Sequence, residues 1–139
     1  MKTLIVTSVV LFACVSGRAM AACGGPGWTA QTALQLTALL NGNTVCGSAG
    51  TDRWQEEHMV GGELRDFKKG PGDPVDPEEK VGAWDVSSEG AHVALVNYHY
   101  DGGSNFSFTV YGNGLGAYSF CRLGTTVEAT VKIGTGVGC

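Results

Sequence analysis

Charge is scarce in this sequence: Asp, Glu, Lys and Arg make up 16% of its 139 residues, and 9 basic residues face 13 acidic ones for a net charge of -4. Nucleic acid needs clustered Lys and Arg to neutralise its phosphates, and no basic run here is longer than Lys68-Lys69, so nucleic acid is excluded as a partner. There is no apolar run of the roughly 20 residues a membrane-spanning helix requires. CxxC and HxxxH spacings are missing, so His58, His92 and His99 carry no metal signature. No G-x-S-x-G nucleophile occurs. No cofactor is implied. Gly is abundant, at 22 copies, but without the three-residue period of collagen, which leaves tight turns between short strands as its use. With 43% apolar residues the chain is too hydrophobic to be disordered and long enough for one domain.

Residues 1–21 have the plan of an export leader: Lys2 at the start, an apolar run from Leu4 to Val15, and small residues ending in Ala19-Met20-Ala21. Cleavage there makes Ala22 the first mature residue and, by removing Lys2 and Arg18, takes the net charge from -4 to -6. A lipoprotein reading competes, since Leu11-Phe12-Ala13-Cys14 and Met20-Ala21-Ala22-Cys23 each put small residues before a Cys. Bulky Phe12 and charged Arg18 weaken both. Simple cleavage leaves Cys23, Cys46, Cys121 and Cys139, an even number bound for an oxidising periplasm or exterior, and predicts two disulfides. Of the three connectivities, the two local pairs, Cys23 with Cys46 and Cys121 with Cys139, are favoured because each brackets one supersecondary unit.

Thr29 to Leu40 (TAQTALQLTALL) puts Ala33, Leu34, Leu36 and Leu40 at helical spacing, with Thr29 as N-cap and Asn41-Gly42 as the stop, which predicts a helix within 28–41. From Ala83 onward the period changes to two. Val127, Ala129, Val131 and Ile133 alternate with polar residues; so do Phe106, Phe108 and Val110; so do Tyr118 and Phe120; and residues 92–100 put Ala94, Val96, Tyr98 and Tyr100 on one face. Gly-rich turns separate these runs, and 82–139 is predicted to be an antiparallel meander of five strands. Residues 52–69 offer two readings, a helix opened by an Asp52-Gln55 capping box or a hairpin turning at Gly61-Gly62. The hairpin is favoured by mid-segment glycines and by Trp54, Val60 and Phe67. Residues 70–81 hold Pro71, Pro74 and Pro77, which predicts a crossover loop ending in one helical turn, Asp76-Pro77-Glu78-Glu79, before a strand that opens at Gly82. The predicted fold is therefore mainly β: six or seven antiparallel strands in a partly open barrel or curled sheet, one N-terminal helix and two disulfides.

A short helical turn followed by Gly82-Ala83-Trp84 and a meander resembles the Gly-X-Trp opening of lipocalin-like barrels. The resemblance rests on three residues directly and some fifty by pattern, and about sixty mature residues precede a strand that lipocalins place near their N-terminus. The wider set DRWQEEH, GPGDPVDP, VGAW and YSFC is similar to small secreted bacterial proteins without an assigned activity. The lipocalin resemblance implies that Trp84 closes one end of a barrel and that Tyr98, Tyr100, Phe106, Phe108, Tyr118 and Phe120 line an apolar ligand cavity. In a chain this small the same residues also serve as a plain core.

Two sets of residues carry thinner chemistry. Asp73, Asp76, Glu78, Glu79 and Asp85 could offer oxygens to Ca²⁺ but lack EF-hand spacing, and capping or solvation is their commoner use. Glu56, Glu57 and His58 are raw material for acid and base chemistry, although on a strand only Glu56 and His58 share a side, and no catalytic residue is assigned. The leading expectation is a secreted or periplasmic, non-enzymatic binding module for a small apolar ligand or a protein partner. A structural subunit that self-associates through strand edges, or an inhibitor that inserts its Pro-rich loop into a secreted enzyme, are the alternatives.

Overall fold

The computed structural model describes residues 23–66, 78–89 and 93–139. The proposed leader at 1–21, most of the Pro-rich loop with Asp73 and Asp76, and His92 lie outside the described residues.

Strands β1 (Thr29–Ala30), β2 (Asn43–Ala49), β3 (Asp52–His58), β4 (Glu63–Asp66), β5 (Glu79–Glu89), β6 (Val93–Tyr100), β7 (Asn105–Gly112), β8 (Ala117–Arg122) and β9 (Thr125–Ile133) accompany one helix, α1 (Ala33–Leu40). From β2 to β9 each strand pairs antiparallel with the next, and β9 returns to pair with β2, so eight strands close into an up-and-down barrel. The short β1 adds to the end of β7, Thr29 opposite Gly112 and Ala30 opposite Tyr111.

The mainly β architecture, the hairpin of β3 and β4 and the five-strand meander of β5–β9 agree with the alternation in the sequence. The sheet is larger than expected and fully closed because β2 supplies the eighth wall strand. NTVCGSA alternates only weakly in hydrophobicity, yet it is hydrogen-bonded on both sides, Val45 opposite Glu56 on β3 and Val131 on β9. Strand β5 starts at Glu79 and not Gly82. Glu79 and Lys80 pair with Asp66 and Arg65, so Glu79, expected to end a helical turn, is in the extended ladder, while Asp76 and Pro77 of that turn lie outside the described residues; a register shift between Leu64 and Arg65 accommodates the extra residue.

The helix is shorter than its apolar pattern. Thr32, not Thr29, is the N-cap: its hydroxyl accepts from the Gln35 amide at 3.3 Å while its own amide donates to the Gln35 side chain at 2.9 Å. Thr32-x-x-Gln35 completes a capping box, whereas Thr29 has Thr32 at the corresponding place and Thr29–Ala30 are held in β1. Leu36 and Leu40 are fully buried and Ala33 packs beside them, but Leu34, two residues from Leu36 and so on the opposite side of the helix, is exposed. The buried stripe lies against β2, β5 and β6, closing one end of the barrel, and joins Leu64, Trp84 and Val96 in one buried cluster.

Glycine is required at two places. At Gly61-Gly62 both residues take positive φ to turn β3 into β4, and the Gly62 carbonyl accepts from the Trp84 amide at 2.8 Å. Gly47 faces Trp54 across β2 and β3, where a Cβ would stand 2.9 Å from the indole Nε1; its missing side chain makes the room the ring occupies.

The disulfides join Cys23 to Cys121 and Cys46 to Cys139, overturning both local pairings. Barrel closure is the reason. Cys121 and Cys46 sit on the strands flanking β9, with side chains opposite in parity to the interior Phe120 and Val45, and each receives a terminal segment running over the outer wall. The sulfur of Cys23 is committed to Cys121, which removes the thiol that acylation of Cys23 would need. The C-terminal segment also covers polar side chains of β3: Gln55 accepts from the Cys139 amide and Glu57 from the Gly136 amide, while Thr44 donates to the Gly134 carbonyl at 2.8 Å. Gln55 and Glu57 are therefore buried although they face away from the barrel axis.

Each disulfide spans more than ninety residues, 98 for one and 93 for the other. A bridge of that span restricts the unfolded chain by an amount worth about 4.7 kcal/mol in the chain-entropy model. Reduction is expected to lower the denaturant midpoint sharply; a midpoint the same with and without reductant would contradict these pairings.

Candidate ligand cavity

Strand alternation decides what enters the barrel. Successive side chains point in and out, so β3 sends Trp54, Glu56 and His58 inward, β6 sends Val96, Tyr98 and Tyr100, β7 sends Phe106, Phe108 and Val110, and β9 sends Val127 and Ala129. With α1 sealing one end, the interior divides into a packed half and an open half.

In the packed half His58 is fully buried, 5.0 Å between centroids from Trp84 and 5.5 Å from Tyr98, both edge-on. Its Nδ1 lies 3.3 Å from the Glu56 carbonyl, which can only accept, so Nδ1 carries the proton and Nε2 accepts from the Tyr98 hydroxyl at 3.0 Å. Burial pushes the imidazole down to about 4, so the ring is neutral across the physiological range, and burial raises the Tyr98 phenol well above its ordinary value. The Trp84 indole donates to the Met59 carbonyl at 3.2 Å.

The open half holds a cavity of about 280 Å³. Its walls are Val45 and Val127 from adjacent β2 and β9, Trp54 and Glu56 from β3, Tyr98 and Tyr100 from β6, Phe106 and Phe108 from β7, and Phe120 from β8. Arg122 and Thr125 stand at the exposed rim, where the Arg122 guanidinium lies 4.8 Å from the centre of the Phe106 ring and 5.9 Å from that of Phe108. The rings contact one another edge to face: Tyr98 with Phe108 at 5.9 Å, Tyr100 with Phe106 at 5.9 Å and Phe108 with Phe120 at 6.3 Å.

One acid interrupts this apolar wall. Glu56 is buried, accepts a short hydrogen bond from the Tyr100 hydroxyl, and stands opposite Asp66 in the register of β3 and β4. Removal from water raises its pKa from 4.5 to about 7; the Tyr100 hydrogen bond lowers it and the charge of Asp66 adds to the rise. The Tyr100 hydroxyl is itself raised, chiefly by burial and then by Glu56.

No family model, curated protein or solved structure matches this chain.

Of the seven aromatics named from the sequence, Tyr98, Tyr100, Phe106, Phe108 and Phe120 border the cavity. Trp84 belongs to the packed half beside His58, and the Tyr118 ring lies against Gly112 on β7. Glu56 and His58 share the inner face, as strand parity requires, but the carboxyl opens on the cavity while both imidazole nitrogens are occupied by Tyr98 and a carbonyl. Trp54, Arg122, Thr125, Val45 and Val127 were missed as lining residues. A signal for Trp54 existed in Gly47, the small residue that faces it; nothing local marks Arg122, whose place depends on β8 and β7 being neighbours.

The two buried titrating groups act in opposite senses on stability. Folded Glu56 holds its proton where the unfolded chain has released it, so it costs stability as pH climbs from 4.5 through about 7. Folded His58 refuses a proton that the unfolded chain accepts, so it costs stability as pH falls from 6.5 through about 4. Between these limits the two slopes oppose each other. Glu56→Gln removes one of them: relative to the unmodified protein the variant is expected to gain stability with rising pH, by on the order of 3 kcal/mol between pH about 4 and about 8. Parallel stability profiles from chemical denaturation across that range would contradict the burial of this carboxyl.

Proposed function

We propose that this protein is a non-enzymatic binding module, lipocalin-like in plan, which holds one small, mainly apolar ligand in its barrel. One observation carries this: a cavity of about 280 Å³, walled by aromatic rings and sealed at one end by α1, in a barrel of only eight strands. Barrels of this size either fill with side chains or retain room for one small ligand, and an unfilled apolar space gives up contacts that close packing would supply. Export to the periplasm or exterior belongs to the same reading: the two disulfides fit an oxidising compartment, and residues 1–21 have a leader's composition. Closure of β9 on β2 pairs, among the described residues, the two strands that would otherwise be edges for a strand-exchanging structural subunit, so a ligand inside is favoured over a partner at the edge.

Thr125 is exposed at the rim and outside the hydrophobic core, which makes it the position at which to block the mouth. An environment-sensitive apolar dye is expected to bind one per chain and alter the emission of Trp54. Thr125→Trp is expected to weaken that binding at least about tenfold, a loss of about 1.4 kcal/mol, with an unchanged melting temperature. Equal dye binding by both proteins, or none by either, would overturn the cavity as a ligand site.

A further inference from the structure

We infer that the ligand of this cavity is an organic cation, a protonated primary amine on a small apolar body, and that Glu56 receives its ammonium group. This rests on the binding reading above and specifies its ligand class.

Four observations converge. Among the described residues Glu56 is the only carboxyl bordering the cavity, it is buried, and its side chain has one hydrogen-bond partner, the Tyr100 hydroxyl. A carboxylate has about four acceptor positions, so most of its capacity remains open to a donor entering from the cavity. Asp66 stands opposite it on β4, so two acids share this part of the barrel. Ionising a buried carboxyl is costly, and a cation placed beside it offsets that cost more fully than a neutral hydrogen-bond donor, while an anion adds to it. The ring of Tyr98, stacked near Tyr100, and those of Phe106 and Phe108 supply negative faces for a cation, and the rim guanidinium of Arg122 already uses two of them.

The remaining groups around Glu56 are consistent with this assignment. His58, on the same strand, is neutral and engaged with Tyr98; Tyr98 and Tyr100 keep their protons; β2 contributes apolar Val45. The only described cation lining the cavity, Arg122, is at the exposed rim, where water and salt weaken its repulsion of a charge held deeper. The volume is about twice the roughly 150 Å³ that admits a benzene ring, so it suits one ring and a short arm.

Charge balance makes the binding proton-linked. Below its midpoint of about 7 Glu56 is largely protonated; an arriving ammonium converts the carboxylic acid to carboxylate, and one proton leaves to the buffer. Affinity for the amine therefore rises with pH until Glu56 is fully ionised.

The test is titration calorimetry on the full mature chain with three probes of one shape, phenethylammonium, phenethyl alcohol and hydrocinnamate. Measurements are made in two buffers of different ionisation enthalpy, at pH about 6 and about 8 on either side of the Glu56 midpoint. The ammonium is expected to bind at least about tenfold more tightly than the alcohol at the higher pH. At the lower pH it should release close to one proton per ligand. Glu56→Gln should bind ammonium and alcohol alike. Equal affinities for all three probes, a preference for hydrocinnamate, or amine binding without proton release in the unmodified protein would overturn the amine assignment while leaving a ligand-binding barrel. Failure of all three to bind would overturn both.

Discussion

The hydrogen-bonded seam between β2 and β9 is the constraint on which everything else depends. It joins Thr44 through Ser48 to Lys132 through Glu128, most of β2 and the second half of β9, and turns a curled sheet into a closed tube. A closed barrel wall blocks access from the side, so the interior is reached only through an end. Leu36 and Leu40 of α1 fill one end. Without the seam, Val45 and Val127 would not be adjacent walls, and Cys46 and Cys121 would not flank a common strand ready for their terminal partners.

Closure also separates two fates for polar side chains on β3. Gln55 and Glu57 face outward and are buried by the C-terminal segment, whose amides they accept; Glu56 and His58 face inward among rings. His58 meets burial by staying neutral and filling both nitrogens. Among the described residues Glu56 has one hydrogen-bond partner, the Tyr100 hydroxyl, and burial outweighs that bond to raise its pKa. An apolar residue there would avoid the cost of burying a carboxyl, which is why the proposed ligand is assigned to this group.

Much of this fold was legible in the sequence, and what was not had a common cause. Alternation at Phe106-Phe108-Val110 and Val127-Ala129-Val131 fixed strand type and inward face, because a side-chain period of two leaves no freedom once one face is buried. The Gly61-Gly62 turn marked a hairpin through its positive φ requirement. Strand β2 was hidden because Thr44 and Cys46 on its outer face are covered or linked by the C-terminal segment, which blurs the contrast between faces. The disulfide pairing, the place of Arg122 and the opposition of Glu56 and Asp66 all depend on which strands become neighbours, information that local pattern does not contain. The aromatic set was visible as inward-facing residues; its division into a packed half around Trp84 and an open half around Tyr100 follows from where α1 docks.

The most direct measurement of whether this barrel carries a ligand is native mass spectrometry of the protein purified without denaturant from its producer, set against its denatured mass. The expected result is a monomer carrying one small non-covalent mass that is lost on denaturation and bears an ionisable amine. Bare protein, whether monomeric or as a ladder of oligomers, would contradict a carrier and return the aromatic interior to the status of an imperfectly filled core.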